Sequence, residues 1–193
     1  MSMSSTRGFT LIELLVTMVI ALILLAGLTS NFISQSNVAR TQSDRAMTSE
    51  DLVLASQIMR RELKTAIGST VAISSPNTTD LVLKYVNVDL YAGAFWYNHP
   101  ASTGGRLGPG SLCWIRPSIH LDPPTDPLPA SATCTGNDEL LVGLDPTAGM
   151  DVYTDTGTDP YTWTVTLKGE FRDVDKQVRP MELKFSIWPR NRR

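Results

Sequence analysis

Gly8-Phe9-Thr10-Leu11-Ile12-Glu13 opens the stretch that decides how this chain is built. Behind it, Leu14 to Leu28 carries no charge, and Thr17 is its only polar side chain. The apolar character continues, more weakly, to Phe32 and Ile33. Counted from Phe9, the run exceeds the roughly 20 apolar residues that a helix needs to cross a bilayer. No proline interrupts it. A lone carboxylate, Glu13, sits in its first turns, although an acid at mid-bilayer costs roughly 2.5–3.5 kcal/mol on insertion scales. Ahead of the run, Met1 to Gly8 holds one basic residue, Arg7, and no acid. A cleaved secretory signal would place its small-residue cut site after a shorter apolar core; here Gly8 precedes the core. A plain signal anchor gives no reason for Glu13.

The segment Arg7 to Leu15 resembles the type IV prepilin signature: a glycine, then Phe-Thr-Leu-Ile-Glu, then an apolar helix. The resemblance implies a defined processing chemistry. A membrane peptidase would cut after Gly8 and methylate the new amino terminus at Phe9. Residues 1–8 would then be a leader, excluded from the fold. Glycine suits the cut because it puts no side chain against the peptidase. Glu13, fifth after the cut, would pair with the freed amine of a neighbouring subunit during assembly. The physics agrees, because a nearby ammonium offsets the cost of a carboxylate in hydrocarbon. The plainer alternative is a carboxylate snorkelling to the headgroups.

Working outward, 193 residues suit one anchored domain. Hydrophobic residues make up 42% of the chain, enough for a core beyond the membrane segment. The formal net charge of −2 gives no basic field, so no nucleic-acid groove is expected. Arg7 keeps the leader cytoplasmic and sends the rest outward. The expected placement is a single pass of the inner membrane with a periplasmic body. Cys113 and Cys134 would then meet an oxidising compartment, where a disulfide persists. Closing a loop of about twenty residues contributes on the order of 3 kcal/mol. Two buried free thiols are the alternative.

The helix should outlast the membrane. Residues 34–66 hold neither Pro nor Gly. Asn37, Arg40, Gln42, Asp44 and Arg45 make a wet segment. Leu52, Ala55, Met59, Leu63 and Ala66 then recur at helical spacing. Arg60, Arg61 and Lys64 suit the negative end of the helix dipole, and Gly68 reads as a C-terminal cap. The expectation is one helix from Phe9 to about Ile67. Its parts are a transmembrane half (9–33) and an amphipathic half (34–67) that packs on a sheet. Gly27, Thr29, Ser30 and Asn31 are its weakest stretch by propensity.

After Gly68 the period turns from helical to alternating. Expected strands are Val71–Ile73, Leu81–Val86, Ala94–Tyr97, Ser111–Arg116, Glu139–Leu144, Asp151–Thr154, Tyr161–Lys168 and Met181–Trp188. Pro76-Asn77 should turn the chain. Pro117, Pro123, Pro124, Pro127 and Pro129 read as a loop that cannot be regular helix or inner strand. A Cys113–Cys134 bridge would staple that loop. The fold class is α+β: a long N-terminal helix against an antiparallel sheet formed by residues 68–193.

Catalytic chemistry is thin, and no enzyme is expected. His99 and His120 lie in or beside proline-containing loops. No HExxH, GxSxG or phosphate-binding glycine loop occurs. Asp145, Asp151, Asp155 and Asp159 cluster, and oxygen-rich loops can hold calcium, but the spacing is not that of an EF-hand. Turn-forming aspartates are the simpler reading, so no metal or cofactor is expected. Phe95, Trp96, Tyr97, Trp114, Trp163 and Trp188 read as core. The long segment with two good strands after Cys134 argues against a major subunit. The turn Met59-Arg60-Arg61-Glu62-Leu63 before a Gly and the large β-rich body resemble the bigger minor pilins of the PilW type. They also resemble the J-type minor pseudopilins of type II secretion. The resemblance implies a subunit that starts or caps a filament. Its partners would be the prepilin peptidase, other minor and major pilins, the inner-membrane assembly platform and membrane lipid.

Overall fold

The computed structural model describes residues 10–74, 80–98, 110–120, 139–154 and 162–189. Helix α1 spans Leu11–Lys64, 54 residues. The chain divides by its contacts after Ser43 into two units. In the first, every residue from Leu11 to Ile33 is exposed. The hydroxyls within this run donate back to the helix: Thr17 to the carbonyl of Leu14 (2.9 Å), Thr29 to those of Ala26 (2.9 Å) and Leu25 (3.1 Å). That bonding satisfies a polar group on an apolar cylinder without a partner from outside. The weak stretch Gly27–Asn31 stays helical throughout.

In the second unit, the rest of α1 packs on an antiparallel sheet, giving the α+β layout. Leu52, Ala55, Met59 and Leu63 are buried on one stripe. They meet Leu83, Tyr85, Phe95, Tyr97, Leu112 and Val165 in a single core. The helix ends at Lys64, short of the expected Ile67. The sheet captures the backbone there: Ile67 donates to the Val86 carbonyl (2.8 Å), and Val88 donates to that of Thr65 (3.1 Å). Gly68 is not a left-handed cap. It opens a 3-10 turn, Gly68–Thr70, and Gly143 is the only described glycine with positive φ.

Among the described residues eight strands follow: β1 Ala72–Ser74, β2 Leu81–Val86, β3 Tyr91–Asn98, β4 Gly110–His120, β5 Glu139–Leu144, β6 Met150–Thr154, β7 Trp163–Arg172 and β8 Val178–Ile187. β1 to β5 lie side by side in chain order, and β7 pairs with β5, β6 and β8. The two halves of the sheet join at Leu144 opposite Gly169. Gly143, at φ +100°, is the extra residue between the pairs Gly110–Leu144 and Ser111–Val142. A bulge needing that conformation selects glycine.

β4 corrects one expectation. Pro117 lies inside it, not in a loop, and so does His120, whose ring meets Tyr91 edge-on at 5.3 Å. The reason is local. β4 shifts register against β3 between Ala92 and Ala94, and β5 pairs with β4 only from Gly110 to Cys113. Pro117 therefore sits at an irregularity with no described strand on its other side, where a missing N–H costs least. β7 and β8 also run past the expected ends, to Arg172 and back from Val178. The Asp173 carboxylate builds that turn, accepting from the amides of Asp175 (3.0 Å) and Gln177 (2.9 Å). Pro76-Asn77 lies outside the described residues.

Candidate processing and assembly site

The site begins at the first turn of α1. Thr10 is its N-cap. The Glu13 amide donates to the Thr10 carbonyl (3.1 Å) and hydroxyl (3.4 Å), and Leu14 closes the first full turn on the Thr10 carbonyl (3.2 Å). The sequence signal was the pattern Thr10-x-x-Glu13, half of a capping box, which the reading of the motif passed over. Glu13 thus occupies the third helical position. There the exposed amides and the helix dipole favour a negative charge. Glu13 is exposed, as are Leu11 (80%) and Ile12 (70%) beside it. Among the described residues, nothing covers this turn. Gly8 and Phe9 lie outside the described residues, so the cut itself is not placed.

Among the described residues there is one helix long and apolar enough to cross a membrane, and its apolar window is wholly unburied. Together these facts describe a bare apolar helix with an acid one turn from its start. Such an element has two chemical outlets: lipid, or other helices.

The remaining sequence candidates are scattered. Cys113 is fully buried in β4, opposite Trp96 on β3, and is not a free thiol. Cys134 lies outside the described residues, as do His99, Asp155 and Asp159. Asp145 is a turn-former: its carboxylate accepts from the Thr147 amide (2.7 Å), the Thr147 hydroxyl (2.6 Å) and the Ala148 amide (3.2 Å). Those bonds, the Thr147 hydroxyl first, hold its carboxyl below the usual range. Asp151 is a strand residue opposite Thr166. Among the described residues no group of three or more His, Cys, Asp or Glu side chains is arranged to hold a metal.

The aromatics divide. Phe95, Tyr97 and Trp163 are buried in the main core. Trp96 packs with Val82, Ala94 and Ile115 in a smaller second cluster. Trp114 is half-buried, stacks on Phe95 at 6.3 Å and donates to the Tyr85 hydroxyl (3.3 Å). That hydroxyl also lies 3.4 Å from the Glu62 carboxylate. Burial pushes its pKa well above the ordinary phenol value. This network ties α1 to the sheet. Trp188 departs from the expectation of a core role: it is 57% exposed, because β8 ends one residue before it. A cavity of about 520 Å³ lies between Asp44, Met47 and Asp51 of α1 and Glu170, Arg172 and Val178 of the β7–β8 hairpin. Burial, then the nearby Asp145 charge, pushes the Glu170 carboxyl up.

Comparisons with curated proteins and with solved structures give no match. One family profile does match, that of the prokaryotic N-terminal methylation motif, over residues 3–29. The match spans Gly8, Phe9, Glu13 and most of the apolar run. Over that stretch the chain carries the motif of type IV pilin-like proteins.

Proposed function

We propose that the chain is a minor pilin of a type IV pilus, a structural subunit that helps to start or cap the filament. One observation carries the reading: a methylation motif running into an apolar helix that the described residues leave bare. In this reading the peptidase removes residues 1–8 and methylates Phe9. The helix holds the subunit in the inner membrane with its body in the periplasm. The same helix then leaves lipid for a bundle of neighbouring helices. Glu13 is the register group, and Cys113 and Cys134 form a bridge that fastens residues 121–133 to β4. The protein is not an enzyme in this proposal. It needs no cofactor, and its partners are other pilins and the assembly platform.

Two measurements test it. Mass analysis of the membrane-embedded protein should find a chain beginning at N-methylated Phe9. A chain still starting at Met1, in cells with an active prepilin peptidase, would sink the reading. Deletion of the gene should reduce surface pili. Normal piliation with loss of protein secretion would instead assign the chain to a type II pseudopilus.

A further inference from the structure

The outer edge of β8 is where the described residues leave the sheet unpaired. In β7, Lys168 donates its amide to Gly149 (2.9 Å), and its carbonyl accepts from Asp145 (2.8 Å). Both groups therefore point away from β8. Backbone groups alternate sides along a strand, so Val165, Leu167 and Gly169 face β8. Their partners there are Phe185, Leu183 and Met181. It follows that Val178, Pro180, Glu182, Lys184 and Ser186 turn their backbone groups outward, where no described strand meets them. The same alternation puts Glu182, Lys184 and Ser186 on the face away from α1, since Phe185 and Ile187 lie in the helix-side core.

We propose that this edge pairs with the β8 edge of a second copy of the chain, antiparallel, with Glu182 of each copy opposite Lys184 of the other. The strand is complementary to itself in that register. Both Glu182–Lys184 pairs are opposite in charge and share a face, the arrangement that favours cross-strand pairing. Pro180, which lacks a donor, falls opposite Ser186, so only one bond is lost at each end. Val178 and Trp188, the exposed apolar residues flanking the strand (51% and 57%), come to lie opposite each other. Sliding the register by one pair either way sets Glu182 against Glu182 or Lys184 against Lys184. Edge strands are often blunted by proline and charge. Here Pro180 blunts one end alone, and charges of opposite sign repel a copy in the shifted registers while attracting it in this one. Lys184 now rests over the Tyr153 ring, 5.2 Å from its centroid, and its long stem lets it swing outward. The pairing rests on β8 alone, so it stands or falls apart from the pilin reading.

The test is sedimentation equilibrium of the full chain in density-matched detergent. The unaltered chain should dimerise. Glu182→Lys and Lys184→Glu, each alone, should weaken the dimer by about tenfold or more, because both cross-strand pairs become repulsive. An equal mixture of the two variants should associate as tightly as the unaltered chain, since each lysine pair then faces a glutamate pair. Trp188→Ser should weaken association without altering this charge logic. A monomeric unaltered chain, including one whose edge accepts a strand only from a different subunit, would overturn the proposal. Dimers that survive the single reversals would overturn it too, by assigning association to the apolar helix. So would a mixture that fails to associate.

Discussion

At Gly169 β7 passes close beneath α1, and Gly169→Ala tests how tightly the two are docked. A Cβ at this position would stand 2.8 Å from Thr48 Cγ2 and 3.3 Å from Leu52 Cδ1. The first distance is shorter than real Cβ contacts allow, and the Thr48 methyl has little room to yield. Its hydroxyl donates to the Asp44 carbonyl (3.0 Å), which holds the rotamer, and lies 3.5 Å from that of Glu170. Overpacking of this kind costs about 1–3 kcal/mol. Alanine returns about 0.5–1 kcal/mol of that, because glycine is a poor strand residue. The expected net loss is about 0–2.5 kcal/mol. Thr48→Ser keeps the hydroxyl and removes the methyl, at a cost below about 0.8 kcal/mol for one partly buried carbon. In that background Gly169→Ala should be neutral or slightly stabilising. The double-mutant cycle should therefore show coupling of about 1–3 kcal/mol. Guanidinium unfolding of the full chain in detergent, followed by tryptophan fluorescence, reads all four proteins. Additive effects would mean that the clash lies elsewhere and that α1 can lift from β7 without loss.

The other predictions are shorter. Cys134→Ser should lower stability by about 2–4 kcal/mol, and both thiols reacting with an alkylating probe in the native, unreduced protein would refute the bridge. Glu13→Ala should be exported and cleaved normally yet co-purify poorly with partner pilins; full assembly of the processed variant would show that helix packing alone sets the register. Asp145→Ala should cost about 1–3 kcal/mol at neutral pH, from loss of three accepted hydrogen bonds at an exposed turn. The Asp145 carboxyl is lowered in the folded state, so its contribution is complete above the unfolded value of about 3.9 and fades as pH falls through the folded one. The gap between Asp145→Ala and the unaltered chain should thus narrow below about pH 4; a gap that stays constant to lower pH would assign the effect to packing.

The fold was legible where one period governed a long stretch. Leu52, Ala55, Met59 and Leu63 announce a buried stripe by spacing alone, and Leu81–Val86 and Glu139–Leu144 have the ends their alternation suggests. Legibility failed where tertiary partners settle the backbone. Nothing near Lys64 predicts that Val86 and Val88 will take the next residues into the sheet. Pro117 reads as a breaker, and only its register shift against β3 and its unpaired far side make it a strand residue. Gly143 was visible as a lone glycine in a strand, the usual mark of a bulge, and went unread. The candidate site was the reverse case. Its chemistry is local, so Gly8, Phe9 and Glu13 could be named from nine residues. Thr10 is less legible, because its capping role rests on backbone geometry at the helix start, where its carbonyl and hydroxyl both accept from the Glu13 amide.

The exposure of α1 gives Glu13 its meaning. From Leu11 to Ile33 the helix is left exposed by the described residues. Lipid removes this apolar surface from water, and so does a bundle of similar helices, in proportion to the area covered. The two environments therefore differ little in what they offer leucine or isoleucine. They differ for the carboxylate. In lipid Glu13 must stay near the headgroups or bond within its own chain. In a bundle whose members begin with a free amine, a counter-charge is available at one axial offset and absent at the others. Desolvation opposes that pair, so it need not add net stability. A subunit at the wrong offset nonetheless leaves a buried charge without a partner, and the apolar run cannot compensate, since its packing changes little with sliding. In the proposed pilin assembly, a single acid in an otherwise apolar helix would thus discriminate between registers.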